Sequence, residues 1–139
     1  MRAAIIEDGT FQMGTVADPT PEGGDLVLRV TACGVCGSDF KARPMMEHGT
    51  VMGHEFCGEV VAVGADVRDT WREGMHAAVL PVFSCGSCKW CLVGDVAHCD
   101  NGAALVGLGG APGAFAEYVR TSAALSFPLP DDVPAEWGA

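Results

Sequence analysis

The sequence predicts a mainly β fold with a few short helices, on three observations. Glycine and proline are dense, 19 and 8 in 139 residues, and they cut the chain into pieces shorter than a helical bundle needs. Between those breaks the apolar residues fall in alternating or continuous stretches of strand length, and at 49% apolar the chain can bury a single core. Four cysteines, Cys85, Cys88, Cys91 and Cys99, are spaced as Cys-x2-Cys-x2-Cys-x7-Cys, so a metal-braced lobe is expected beside that core. The length is that of one domain.

Taken in order, Ala3 to Ile6 can form a first strand, and Asp8-Gly9 signals a turn into a second extended segment near Phe11. Pro19, Pro21, Gly23 and Gly24 then break the chain. From Leu26 to Ala32 the alternation predicts a strand with Leu26, Leu28, Val30 and Ala32 on one face and Val27, Arg29 and Thr31 on the other. The strand leads into Cys33-Gly34-Val35-Cys36-Gly37-Ser38-Asp39 and a short helix through Phe40-Lys41-Ala42-Arg43 that Pro44 ends, with Ser38 or Asp39 expected at the N-cap. A thiol just before a helix start lies at the positive end of the backbone dipole, which favours the thiolate and singles out Cys36 as ligand or nucleophile. By spacing alone Cys33-x2-Cys36 could equally be a redox pair, half of a zinc site or two small buried thiols.

Next comes Gly53-His54-Glu55-Phe56-Cys57-Gly58, entering the apolar run Val60 to Val63 that Gly64 closes as a buried strand would. A lone histidine is more often packed or superficial than a ligand, and it is the pairing with Cys36 that gives His54 weight. Trp71 and Gly74 precede a strand from Met75 to Leu80, ended by Pro81. His48, His76 and His98 lie beside ligand patterns rather than inside one and carry no functional assignment.

Between Cys85 and Cys99, Gly86 and Gly94 permit positive backbone angles, and no strand or helix period is sustained, as suits a wrap around an ion. Structural zinc takes four ligands, and four thiolates satisfy it. A disulfide pair sits poorly with an odd total of seven cysteines, and a bacterial iron–sulfur run has a shorter last gap followed by proline where this chain has Asp100. Beyond the knot, Gly107-Leu108-Gly109-Gly110-Ala111-Pro112-Gly113 has proline where a phosphate loop's third glycine belongs, so it reads as a turn or flexible loop before an alternating strand, Phe115 to Val119. Ser126 to Pro130 is extended. Asp131 to Glu136, with Pro134 as an N1-like residue, then reads as a helix beginning, and a helix so soon cut off suggests a piece of a longer protein.

Charge narrows the function. Eighteen acids against eight Lys plus Arg give a formal charge of −10, which repels phosphates and argues against a nucleic-acid zinc ribbon. The N-terminus turns acidic too soon for a secretory signal, and no run approaches a membrane span. A cytoplasmic, reducing setting is expected for so many thiols.

The three motifs in this order, Cys36-Gly37-Ser38-Asp39, Gly53-His54-Glu55-Phe56-Cys57-Gly58 and the Cys85 to Cys99 knot, resemble the zinc-dependent medium-chain alcohol dehydrogenases. The likeness extends through Gly113-Ala114-Phe115-Ala116-Glu117-Tyr118-Val119 and stops before that family's nucleotide-binding domain. It implies a GroES-like catalytic domain over residues 1–139, a partly open β-barrel with a zinc lobe at about 84–100. By the same resemblance Cys36 and His54 match catalytic zinc ligands, and Glu55 a neighbouring acid in or behind the coordination shell. Asp39 matches the acid that orients the ligand histidine, and Ser38 the hydroxyl that takes the alcohol's proton. Cys33 and Cys57 match no ligand. The family's third protein ligand, a Cys, Asp or Glu, falls shortly after the equivalent of Glu136, and Lys41 stands where many relatives carry a relay histidine. The cofactors implied are one structural and one catalytic zinc, with NAD or NADP in the full-length protein, and the substrate is a small alcohol or aldehyde. The isolated residues are expected to be inactive and to self-associate as a homo-oligomer through an apolar face that a partner domain covers. The rival reading is a stand-alone zinc-stabilised GroES-like binding or interaction module.

Overall fold

The computed structural model describes residues 1–139. Strands β1 (Arg2–Glu7) and β2 (Thr10–Thr15) form an antiparallel hairpin whose turn is Asp8-Gly9. Both turn residues have positive φ, 49° and 69°, the twist that a tight hairpin needs and that Asp and Gly tolerate best. The expected pair of strands is therefore present with the expected turn.

Strand β3 (Asp25–Gly34) is the second strand of a five-stranded sheet. It pairs antiparallel with β8 (Tyr118–Ser122) on one side and β4 (Glu55–Val63) on the other. From β4 the sheet continues through β5 (His76–Val79) to β9 (Ser126–Pro128), antiparallel throughout. The alternation in β3 holds for Leu26 and Leu28, both fully buried, but Val27 is buried too. A register shift against β4 lies between Val27 and Leu28, but the pairing with β8 runs unbroken from Asp25 to Arg29, and Val27 stays outside the core that takes Leu26 and Leu28. Leu26, Leu28, Phe56, Val60, Trp71, Ala77, Val106 and Val119 make the core that closes this sheet.

Single bridges join the hairpin to the rest, Ala3 to Ala116 and Ile5 to Val51, so the barrel is only partly closed. The strand expected over Phe115 to Val119 begins later, at Tyr118, because Phe115 first serves β1 by accepting the amide of Ala4 at 2.7 Å. A two-stranded piece, β6 (Val82–Phe83) with β7 (Ala104–Leu105), brackets the cysteine knot, which carries one short helix, α2 (Lys89–Leu92). No α-helix begins at Asp131. Pro134 is extended, and a 3-10 turn over Ala135–Gly138 folds back so that Cys57 Sγ donates to the Ala135 carbonyl at 2.7 Å.

Candidate metal centre

Helix α1 (Gly37–Ala42) starts immediately after β3 and is capped differently from expectation. The N-cap is Cys36, not Ser38 or Asp39, and Asp39 occupies the third helical position, from which its Oδ2 accepts the Cys36 backbone N–H at 2.8 Å. A carboxylate there satisfies a helix-terminal donor and folds the capping residue against the first turn. Pro44 does not end the chain's coiling, since a 3-10 turn over Arg43–Met45 follows with proline in its first turn.

Asp39 is fully buried, and its second oxygen, Oδ1, stands 3.4 Å from His54 Nδ1. Both atoms are shielded from solvent, and neither has a well-aligned hydrogen bond of its own. The opposite ring nitrogen, Nε2, lies 3.3 Å from Ser38 Oγ. One carboxylate thus ties the backbone of Cys36 to the imidazole of His54 across 18 positions of sequence. His54 itself is delivered by the entrance of β4, and Glu55 is that strand's first residue, paired with Gly34. One ligand atom each from Cys36, His54 and Glu55 lies within 4.8 Å of the others.

That donor set fits a zinc ion: a thiolate, an imidazole and a carboxylate on separate elements, with a buried acid behind the imidazole. Cys33 stays outside the cluster, and burial, with Asp39 nearby, pushes its thiol up to about 12, so it remains protonated. Burial likewise raises the Cys57 thiol.

In the lobe, Cys85, Cys88, Cys91 and Cys99 also bring their sulfurs within 4.8 Å of one another. Cys88 and Cys91 sulfurs are 3.5 Å apart, and those of Cys85 and Cys91 3.9 Å. Zinc–sulfur bonds of about 2.3 Å directed to a tetrahedron give edges of about 3.8 Å, whereas a disulfide would bring two sulfurs to about 2.05 Å. All seven cysteines are free thiols, and the quartet has the dimensions of a thiolate cage. Backbone N–H groups of Ser87 and Cys88, with the Ser87 hydroxyl, lower the Cys85 thiol to about 5 and favour its ligand form. His98 pairs with Asp95 at 2.8 Å and flanks the Trp90 ring, so it braces the lobe's surface. His48 approaches Glu7 only at 4.0 Å.

Val35 and Phe40, next in sequence to Cys36 and Asp39, turn away from the cluster. They line an apolar groove of about 690 Å³ with Phe11, Met13 and Phe115, and no candidate ligand borders it. Sequence reasoning missed the Cys36 cap. The signal was present, an acid three residues after the cap, but a cysteine is not a customary capping residue.

The class these observations define is an antiparallel, partly open β-barrel carrying two clusters of metal-type donors. The alcohol dehydrogenase GroES-like domain family matches residues 22–131, and the chain belongs to it. The chain is 36% identical over 131 residues to an L-threonine 3-dehydrogenase of Aeromonas hydrophila subsp. hydrophila, covering 87% of this chain and 37% of that protein. Among solved structures, an Escherichia coli CFT073 short chain alcohol dehydrogenase complexed with NADH superposes with TM-score 0.88 at 33% identity, over 99% of this chain and 41% of that one. Galactitol-1-phosphate dehydrogenase from Escherichia coli gives 0.87 at 29% identity, over 99% and 40%. The chain thus spans about two fifths of the length of these relatives. The expected GroES-like fold and the resemblance to zinc-type dehydrogenases are both borne out, and no helix is long and apolar enough to cross a membrane.

Proposed function

We propose that residues 1–139 form the catalytic, metal-holding domain of a zinc-dependent dehydrogenase that oxidises a small alcohol to an aldehyde or ketone with NAD or NADP. The observation that carries this reading is the convergence of Cys36, His54 and Glu55 within 4.8 Å, with buried Asp39 behind His54. Cys36, His54 and Glu55 are the residues that would hold a catalytic zinc, and Cys85, Cys88, Cys91 and Cys99 a structural one. The chemistry that a zinc held there would supply is Lewis-acid polarisation of the alcohol oxygen, which would ease its deprotonation and stabilise the nascent carbonyl. Ser38 would take the alcohol's proton, a role supported by the 3.3 Å between its hydroxyl and His54 Nε2. Asp39 Oδ1, 3.4 Å from Nδ1, would hold the imidazole proton there and leave Nε2 free as a donor to metal. Exposed Lys41, on the same helix, stands toward solvent in place of a relay histidine and leaves the outward proton path to water or a cofactor hydroxyl.

Every sheet among the described residues is antiparallel or a short hairpin, and none forms the strand, glycine turn and helix of a dinucleotide fold. Nicotinamide would therefore be carried by chain outside residues 1–139. The relatives named above act on threonine and a polyol phosphate, and a small hydroxylated substrate is the class proposed here. Seven free thiols suit a reducing, cytoplasmic setting, and exposed Phe40, Met13 and Met45 suit association with another domain or copy.

Elemental analysis tests this directly. Two zinc ions per chain are expected, of which His54→Ala removes one and Cys88→Ser the other. Only one zinc in the unaltered protein, or two zinc ions retained by His54→Ala, would refute the catalytic centre. Residues 1–139 alone should oxidise no alcohol with either nicotinamide cofactor, and turnover by them would refute the division of labour.

A further inference from the structure

The glycine-rich stretch Gly107–Gly113 is not a ligand loop, yet it touches the backbone that carries His54. We propose that it is a clamp: it seats Val51–Met52–Gly53 so that His54 enters the metal centre in the correct place, with Gly113 and Gly107 as positioning residues. The inference rests on the metal-centre reading above and adds to it a residue set remote from the ligands in sequence.

Three consecutive carbonyls before His54 are each held from this side. Val51 accepts the Gly113 amide at 2.8 Å, Met52 the Phe115 amide at 2.8 Å and Gly53 the Ala114 amide at 2.9 Å. Val51 also bridges to Ile5 of β1 on the other side, so the segment is gripped between two partners. The approach is too close for side chains. A Cβ on Gly113 would fall 2.5 Å from the Gly53 carbonyl oxygen and against that of Met52, and one on Gly107 would lie 2.6 Å from the Gly53 oxygen and 2.8 Å from its nitrogen. Gly53 has φ +97° and would itself strike Phe115. The neighbours of Gly113 and Gly107 are backbone atoms that cannot swing aside, so a methyl group at either must push Met52 or Gly53 bodily. His54 follows directly, and a metal constellation tolerates only about 0.5 Å of displacement.

The clamp is anchored in turn. Gly107 closes its own turn by donating to the Ala111 carbonyl at 2.8 Å, and Val106, fully buried, donates to Pro81 at 3.0 Å just before the cysteine lobe. The chain leaving the quartet therefore runs within a few residues onto the backbone that presents His54.

The test uses cobalt in place of zinc, because a four-thiolate cobalt site and a Cys, His, Glu site absorb differently and can be titrated separately. Gly113→Ala should keep the quartet's thiolate charge-transfer band while cobalt affinity of the second site falls about 10–100-fold, the usual cost of disturbing a ligand's support. Gly24→Ala is the control, since neither Gly24 nor Gly113 has a positive φ and Gly24 has nothing within 4 Å of its missing Cβ; it should bind both ions as the unaltered protein does. Unchanged affinity in Gly113→Ala overturns the clamp, and so does parallel loss of both sites, the mark of a merely structural role. Unaltered protein that binds cobalt only at the quartet overturns the metal-centre reading itself and the clamp with it. Hydrogen exchange on the unaltered protein gives a measurement that needs no variant. Amides of Gly113, Ala114 and Phe115 should be strongly protected, and exchange as fast as that of Gly109 would overturn the proposal.

Discussion

Replacing Asp39 by asparagine alters the candidate centre with almost no change of shape. Asp39 is fully buried, with one oxygen 2.8 Å from the Cys36 amide and the other 3.4 Å from His54 Nδ1. An asparagine has one acceptor for these two places. The shorter contact, to a backbone N–H that has nowhere else to turn, keeps the oxygen, and the NH2 then faces His54 Nδ1. That forces Nδ1 to accept and moves the ring proton to Nε2, the nitrogen beside Ser38 that a metal would need. Exchanging a charged for a neutral acceptor at the Cys36 cap costs metal-free stability about 1 kcal/mol. Metal affinity at the centre suffers more, about 10–100-fold, or about 1.4–2.7 kcal/mol. Competition titration with a chromophoric chelator measures the affinity, and urea denaturation of metal-free protein measures the stability. Affinity in Asp39→Asn equal to that of the unaltered protein would show that the carboxylate does not govern the His54 tautomer. Equal weakening at the cysteine quartet would show that the effect is not local.

The core and the thiols give three further outcomes. Phe56→Ala removes a side chain only 1% exposed at the centre of the core and should destabilise the fold by about 3–5 kcal/mol in urea denaturation; a loss below about 1 kcal/mol would contradict the packing described. Cys33, raised to about 12 from 9.0, should resist iodoacetamide at about pH 8, whereas Cys85, lowered to about 5, should be alkylated first once the lobe is stripped of metal. Because the folded value for Cys33 lies above the unfolded one, its contribution to stability is whole below pH 9.0 and disappears as pH rises toward 12; Cys33→Ala should flatten that alkaline decline, and an unchanged decline would assign it to other groups.

Local chemistry was legible in the sequence, and tertiary supports were not. Asp8-Gly9 announced its hairpin because both residues favour positive φ, a property each carries alone. The quartet announced itself because its four thiols fall within one short loop, whereas Cys36 and His54 lie 18 positions apart and neither implies the other without the family's pattern of motifs. The burial of Val27 was not legible from alternation, because Val27 lies outside the core that takes Leu26 and Leu28, and the start of β8 moved because Phe115 is claimed by β1. The glycine stretch at 107–113 shows the limit most clearly. Read alone it has only absences: no phosphate-loop spacing, no following helix, no ligand. Its role, as inferred here, lies in the side chains it lacks, because Gly113 can approach Met52 and Gly53 only without a Cβ, and those partners stand about sixty positions earlier in the chain. A missing atom has meaning only relative to what fills its place. For that reason substitutions at Gly113 and Asp39, neither of them a ligand, test the candidate centre more sharply than removal of the ligands themselves: each predicts loss of one metal site with the other as internal standard.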